Sequence, residues 1–211
     1  MQDLKKLAIK GVSWSVIDNI ANSGITFIVG IVLARILSPA EFGLIGMITI
    51  FIAVSNSIVD SGFSSALIRK VETKNIDYNT VFFFNLCLGI GLYLILFLSA
   101  PLISRFFNEP VLISITRVMG IILIINAFGL VQRTLLVKEV DFKTQTKISL
   151  IASVSTGFIG VGMALKGFGV WSLVGQQISR QLLNSIFLWV FNKWRPALEF
   201  SKESFNELFG F

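Results

Sequence analysis

The chain has 211 residues, of which 54% are hydrophobic and 14% are charged, and its mean hydropathy is +0.80. A soluble domain carries roughly 25% charged residues, so this composition excludes an ordinary soluble protein and predicts one embedded in a membrane. The net charge of +6 does not indicate nucleic-acid binding, because no basic stretch outside the apolar segments is interleaved with stacking aromatic residues.

Residues that commonly carry metal, redox or hydrolytic chemistry are scarce. The sequence has no histidine, and its one cysteine, Cys87, falls within an apolar stretch. The usual zinc ligand and general base are therefore missing, no nucleophile lies beside a base, and no glycine-rich phosphate loop is present. We expect neither an enzyme nor a bound metal or cofactor, and we expect Cys87 to be a small buried hydrophobic residue.

Six apolar stretches follow one another along the chain, each about as long as a helix that crosses a bilayer at ~1.5 Å per residue. The stretch between Asp77 and Arg105 carries no charge at all. We predict an all-α integral membrane protein in which residues 1–196 form a six-helix transmembrane bundle and residues 197–211 form a cytoplasmic amphipathic segment. The predicted spans cover residues 11–37, 42–68, 79–101, 110–132, 148–165 and 167–192.

The distribution of basic residues predicts the orientation of these spans, because cytoplasmic loops retain lysine and arginine. An even number of spans puts both termini on one side, and that side holds thirteen basic residues against three on the other. Both termini are therefore predicted to be cytoplasmic. The thirteen are Lys5, Lys6, Lys10, Arg69, Lys70, Lys74, Arg133, Lys138, Lys143, Lys147, Lys193, Arg195 and Lys202, and the three are Arg35, Arg105 and Lys166.

The fifth predicted span carries a face of small residues. Lipid does not drive helices together hydrophobically, so a smooth face that allows two backbones to approach closely favours helix association. We predict that this face packs against other helices and is not a ligand site. Its members are Ala152, Thr156, Gly160 and Ala164, with Ser149, Ser153 and Gly157 on the adjoining ridge.

Two carboxylates lie inside predicted spans. Inserting a charged side chain there costs about 2.5–3.5 kcal/mol, so each one is expected to be paired, hydrated or functional. Asp18 and Asn22 are four residues apart, as are Asn56 and Asp60, so each pair shares one helix face. The two pairs lie at similar depths in antiparallel spans and could share a water-filled cavity that exchanges a proton or cation. The alternative is that each carboxylate bonds an arginine or the backbone and fixes helix register.

Two arginines also lie inside predicted spans, Arg180 near the middle of the sixth and Arg117 near the outer end of the fourth. The guanidinium fork can engage two oxygens of a phosphate or pyrophosphate at once, so both are candidates for binding an anionic substrate. An internal ion pair is the alternative. Asn126 and Gln176 add neutral hydrogen-bonding groups that either contribute to substrate binding or tie helices together.

Four segments together resemble polysaccharide flippases of the multidrug/oligosaccharidyl-lipid/polysaccharide transporter superfamily. The resemblance covers nearly the whole chain and is closest to exporters of the O-antigen and teichuronic-acid type. The segments are residues 34–44 (ARILSPAEFGL), 60–68 (DSGFSSALI), 140–143 (VDFK) and 167–173 (GFGVWSL).

The resemblance implies flipping of an undecaprenyl-pyrophosphate-linked oligosaccharide across a bacterial inner membrane, for surface polysaccharide biosynthesis. Alternating access between two six-helix lobes would move this cargo. The chain would be the N-terminal lobe of a MATE-like flippase, and its partners would be the bilayer, the lipid-linked oligosaccharide and a second lobe or second copy of the chain. Two alternatives are a drug/cation antiporter of the same superfamily and a non-transporting membrane scaffold subunit.

Overall fold

The computed structural model describes residues 2–60, 62–70 and 72–209; for residues 2–10, 12 and 209 it describes the backbone only. The described residues form helices and connecting turns, with no strand, so the predicted all-α fold is confirmed. The helices are α1 Gln2–Ile36, α2 Pro39–Asp60, α3 Phe63–Arg69, α4 Asn75–Phe107, α5 Leu112–Lys138, α6 Phe142–Leu165, α7 Val170–Phe191 and α8 Lys202–Phe209.

Within the described part of the chain, five helical segments are long and apolar enough to cross a membrane. They are the Ser13–Ile36 part of α1, the consecutive helices α2 and α3, and the whole of α4, α5 and α6. The sixth predicted span corresponds to α7, which has 22 residues. At 1.5 Å per residue that length is about 33 Å, but Gln176, Gln177, Arg180, Gln181 and Asn184 lower its hydropathy. The predicted count of six spans is therefore not confirmed.

Two helix boundaries differ from the prediction for identifiable reasons. The second predicted span is interrupted, because α2 ends at Asp60 and α3 begins after Gly62, whose φ is +83°. Glycine adopts this left-handed conformation at little cost. The fourth predicted span ends at residue 132, whereas α5 continues to Lys138 because no glycine or proline interrupts it there. Arg133 consequently lies on the helix and not in a loop.

The turn between α1 and α2 is fixed by a capping box. The backbone N–H and the hydroxyl of Ser38 both donate to Glu41 Oε2, at 2.7 and 2.9 Å. Pro39 occupies the first helical position, where its missing N–H costs nothing. The SPAE sequence within residues 34–44 therefore has a direct structural role.

The order of packing differs from the order along the chain. α1 packs mainly against α6, α6 against α7, α7 against α5, and α5 against both α2 and α4. α1 hardly touches α2, its neighbour in sequence. The predicted small-residue face of α6 accounts for part of this packing, because Cβ atoms built at Gly157 and Gly160 would lie 2.8 Å from Val29 and 3.0 Å from Gln176. The predicted packing role of that face is confirmed.

The two ends of the bundle are packed differently. The end that holds the α1–α2 and α6–α7 turns, which we call the capped end, contains one hydrophobic core with contributions from α1, α2, α4, α5, α6 and α7, including Leu33, Ile48, Met119 and Leu173. The opposite end, which we call the terminal end, has a separate core in which described residues of α3, α4, α5 and α8 pack together, including Phe63, Leu67, Phe82 and Leu208. α1 and α2 therefore share one hydrophobic core at the capped end.

The predicted amphipathic segment 197–211 contains α8, which packs across α3 and α4. The ring of Phe205 lies 4.9 Å from that of Phe84, and Lys70 Nζ bonds Glu207 at 2.8 Å. Partial burial lowers the pKa of Lys70, but Glu207 and Asp77 outweigh this effect, so the net pKa lies above the ordinary 10.5. Residues 210 and 211 lie outside the described residues.

One buried residue was expected on α4 and is not found there. Cys87 is exposed, because the buried face of α4 at this level runs through Asn85 and Gly89. A Cβ at Gly89 would lie 2.9 Å from Ala127 Cβ of α5, and Cys87 points away from this close contact toward the lipid-facing surface.

Candidate functional site

A polar cleft of about 330 Å³ lies among α2, α3, α5 and α7 toward the terminal end. α2, α5 and α7 each contribute polar side chains at spacings that keep them on one face, and α3 contributes Ser64. Its polar lining residues are Asn56, Asp60, Ser64, Asn126, Arg133, Thr134, Gln181, Asn184 and Ser185.

The α2 and α5 sides of the cleft are joined by amide groups. Asn126 Nδ2 donates to Asn56 Oδ1 at 2.9 Å. Asp60 is not bonded to Asn56 but accepts a hydrogen bond from Ser64 Oγ at 2.7 Å. The prediction that Asn56 and Asp60 share a face agrees with their common position in the cleft wall, while their hydrogen-bond partners lie on other helices.

Arg133 supplies a positive charge to the cleft. It forms no salt bridge among the described residues, and its guanidinium interacts electrostatically with both Asp60 and Asp18. The charge distribution predicts a cytoplasmic loop for Arg133 and no role in a site, whereas the side chain lies on α5 in the cleft wall. One signal could have identified it, because Arg133 lies seven residues after Asn126 and therefore shares its helix face.

A second polar cluster, the polar junction, joins α1, α6 and α7. Its centre is Asn22, whose Nδ2 donates to Asp18 Oδ1 at 2.7 Å and to Ser149 Oγ at 2.6 Å. Ser153 Oγ in turn donates to Asn22 Oδ1. The predicted pairing of Asp18 with Asn22 is thus present, and both serines of the small-residue face also serve as hydrogen-bonding groups.

Arg180 reaches the polar junction from α7. Its Nη1 donates to Thr26 Oγ1 at 3.4 Å and its Nη2 to Asn22 Oδ1 at 3.5 Å. Both contacts are long, and neither involves a carboxylate. No salt bridge holds Arg180 within the described residues, so its charge is available to a polar group that enters between α1 and α7.

The remaining predicted site residues lie elsewhere. The guanidinium carbon of Arg117 lies 4.4 Å from the centre of the Phe97 ring on α4. This cation–π contact stabilises the charge, and the attraction is stronger where water is excluded. Gln176 packs its side chain against Gly160 of α6. Neither residue lines the cleft. Asp18 does not line it either, so the two predicted carboxylates belong to different clusters, although the Arg133 guanidinium interacts electrostatically with both.

The two clusters together offer unpaired guanidinium groups, amide donors and carboxylates within a membrane-embedded helical bundle. Such groups can bind an anionic or sugar-like polar group by charge-assisted and neutral hydrogen bonds. Among the described residues, no group of three or more aspartate, glutamate or cysteine side chains is placed to hold a metal ion.

Comparison with known proteins shows what the chain is similar to. It is 29% identical to the succinoglycan biosynthesis transport protein ExoT of Rhizobium meliloti (strain 1021), over 93% of this chain and 40% of the relative. It is 26% identical to the teichuronic acid biosynthesis protein TuaB of Bacillus subtilis (strain 168), over 100% and 44%. It is 28% identical to the lipopolysaccharide biosynthesis protein WzxC of Escherichia coli (strain K12), over 95% and 41%. The chain thus spans about two fifths of the length of these relatives.

No solved structure shows significant similarity to the chain. The model of a family described as "Polysaccharide biosynthesis protein" matches residues 32–211, which confirms the resemblance seen in four separate segments of the sequence. The chain therefore belongs to the polysaccharide biosynthesis protein family.

Proposed function

We propose that the chain is the N-terminal lobe of a transporter that flips a lipid-linked oligosaccharide from the inner to the outer leaflet of a bacterial cytoplasmic membrane. The relatives ExoT, TuaB and WzxC are named for transport or biosynthesis of surface polysaccharides, and they are more than twice as long as the aligned part of this chain. A second lobe, or a second copy of the chain, would complete the passage. No covalent step is required of the protein.

The observation that carries this proposal is the polar cleft in a bundle that is sealed at its other end. A hydrophobic core fills the capped end, whereas the terminal end opens onto Arg133, Asn126 and Asp60. A passage that is closed on one side and open on the other is one state of an alternating-access cycle.

We assign the cleft to the cytoplasmic side. The terminal end carries most of the basic residues, including Lys70, Lys138 and Arg195, and cytoplasmic segments retain such residues. In this orientation the cargo enters from the leaflet in which it is assembled, and Arg133 and Arg180 attract its pyrophosphate oxygens. Amides such as Gln181 and Asn184 are suited to sugar hydroxyls.

We assign the coupling of transport to Asp60 and Asp18. Asp60 lines the cleft together with Arg133, and the Arg133 guanidinium interacts electrostatically with both carboxylates, so protonation of either one, or binding of a cation there, changes the net charge presented to the anionic cargo. Release of the cargo and uptake of the coupling ion would then compete for the same guanidinium.

The test is export of surface polysaccharide in cells that depend on the complete gene. Arg133→Gln keeps a polar side chain but removes the charge, and we expect loss of most export at normal protein abundance in the membrane. Arg133→Lys should retain part of it, because lysine keeps the charge but not the guanidinium fork. The matched control is Arg105→Gln, an exposed arginine at the capped end of α4, for which export should stay normal.

Normal export by the double variant Arg133→Gln/Arg180→Gln would overturn the assignment of these two arginines to cargo binding. A deletion strain with an intact surface glycan but reduced drug efflux would overturn the assignment of the cargo itself. A strain with neither defect would favour a scaffold subunit.

A further inference from the structure

An apolar groove of about 560 Å³ lies between α5 and α7 and adjoins the polar cleft at Ile125 and Ser185, which line both. The indole N–H of Trp189, in the groove wall, donates to Phe128 O at 3.0 Å, and the two rings stack at 4.7 Å. The groove thus presents an almost continuous hydrocarbon surface. Its other lining residues are Ile124, Leu182, Ile186, Val190 and Arg195.

Arg195 places a fixed positive charge at the terminal end of this groove. Its Nη1 donates to Asn192 O at 2.7 Å and to Trp194 O at 2.8 Å, and its Nη2 donates to Trp189 O at 2.8 Å. The guanidinium carbon lies 5.5 Å from the centre of the Trp189 ring. These contacts hold the side chain in one position at the end of α7, so it is pre-organised for a ligand.

The charge of Arg195 is not neutralised within the described part of the chain. It forms no salt bridge there, and its three hydrogen bonds go to backbone carbonyls. A guanidinium has five N–H groups, so the Nε N–H and one N–H of Nη2 are left for an acceptor outside the protein. Arg195 is exposed, and such an acceptor can reach it.

We propose that the groove binds one anionic phospholipid of the leaflet that Arg195 faces. The phosphate is held by Arg195, and one acyl chain lies along α7 past Trp189 and Ile186 to Leu182, a distance of about 10 Å at the helical rise. Tryptophan favours the headgroup level, and basic pockets between membrane helices bind anionic headgroups. A zwitterionic headgroup gains less, because its own cation is repelled by the guanidinium. This site does not depend on the transported cargo.

The test is quenching of Trp189 fluorescence by lipids that carry bromine on their acyl chains. The complete protein is reconstituted into vesicles after Trp14, Trp171 and Trp194 have been replaced by phenylalanine, as has any tryptophan outside this sequence. In one set of vesicles, brominated phosphatidylglycerol is mixed into unlabelled phosphatidylcholine; in the other, brominated phosphatidylcholine is mixed into unlabelled phosphatidylglycerol. The brominated phosphatidylglycerol should quench Trp189 with an apparent affinity about fivefold higher than the brominated phosphatidylcholine. Arg195→Gln should remove this preference, and Arg195→Lys should retain most of it.

The matched control keeps Trp171, near the capped end, as the remaining tryptophan, and should show no preference between the two lipids. Raising the salt concentration should reduce the preference at Trp189 with Arg195 intact, because salt screens exposed charges; this measurement does not depend on the folding of any Arg195 variant. Equal quenching by both lipids at Trp189 would overturn the proposal, and so would a preference that survives both Arg195→Gln and high salt.

Discussion

Gly169 and Glu41 meet at the capped end, where the α6–α7 turn approaches the α1–α2 turn. A Cβ atom built at Gly169 would lie 2.5 Å from Glu41 Oε1, and the φ of Gly169 is +55°. Glu41 is held by the capping box with Ser38 and cannot retreat without breaking it. The SPAE and GFG sequences, distant along the chain, are thus two sides of one contact.

Gly169→Ala should lower the free energy of unfolding by about 1–3 kcal/mol, because the variant combines an unfavourable backbone conformation with a steric clash. The measurement is the thermal midpoint in detergent. Gly167→Ala is the matched control, since Gly167 also has a positive φ, +79°, but no atom within 4 Å of its Cβ position. The control should lose less stability; equal losses would mean that the contact with Glu41 is unimportant.

Gly157→Ala should destabilise the packing of α1 on α6. The new methyl group would lie 2.8 Å from Val29 Cγ2, and such overpacking costs roughly 1–3 kcal/mol. Val29→Ala in the same chain should recover part of the loss, which gives a coupling energy of at least about 0.5 kcal/mol in a double-mutant cycle. On the same helix, Gly162→Ala meets no atom and should be neutral or stabilising. Additive effects of the two substitutions would contradict the contact.

Asn22→Ala should loosen the polar junction by about 1–2 kcal/mol, since interhelical hydrogen bonds in membranes average about 0.6 kcal/mol each and Asn22 bonds Ser149 and Ser153 on α6. Chemical denaturation in mixed micelles measures the loss. Asn19→Ala, an exposed asparagine on the same helix, should change stability by less than about 0.5 kcal/mol. A similar loss in both variants would show that the hydrogen bonds of Asn22 to α6 do not contribute to stability.

Lys138→Met should release α3 from the end of α5. Lys138 Nζ donates to Leu67 O at 2.9 Å, to Lys70 O at 2.7 Å and to Thr73 Oγ1 at 2.9 Å, and hydrogen bonds to a charged group contribute about 1.5–3 kcal/mol. Amide hydrogen exchange in residues 63–70 should therefore be at least about tenfold faster than in the parent chain. Lys143→Met, which removes an exposed lysine, should leave that exchange rate unchanged.

The helices themselves could be predicted from hydropathy, because each apolar stretch must satisfy its own backbone in lipid. The residues at which the helices begin and end could not be predicted from hydropathy in the same way. The break at Gly62 depends on one left-handed residue. α5 runs past the charged Arg133, whose side chain lines a polar cleft, and hydropathy alone counts such a charge against a membrane span.

The candidate site was predictable only within single helices. Spacing was sufficient to place Asn56 with Asp60 and to pair Asp18 with Asn22. It could not show that α1 packs on α6 and not on α2, because neighbours in sequence need not be neighbours in space. For Arg117, the cost of burial indicated a ligand or an ion pair, whereas the guanidinium lies over the Phe97 ring and its buried Nε has no hydrogen-bond partner among the described residues. With 20 phenylalanines in the sequence, no pattern selects this ring.

The capping box of Ser38 and Glu41 fixes the α1–α2 turn, so any tilt of α1 pivots at that end of the helix. The helix has 35 residues and is about 50 Å long at 1.5 Å per residue, so a tilt of only about 5° about that turn displaces its far tip by roughly 4 Å. Such a swing would carry α6 along, because Val29 sits against Gly157. A rotation that leaves the capped end undisturbed can therefore move the other end of α1 by more than the diameter of a water molecule.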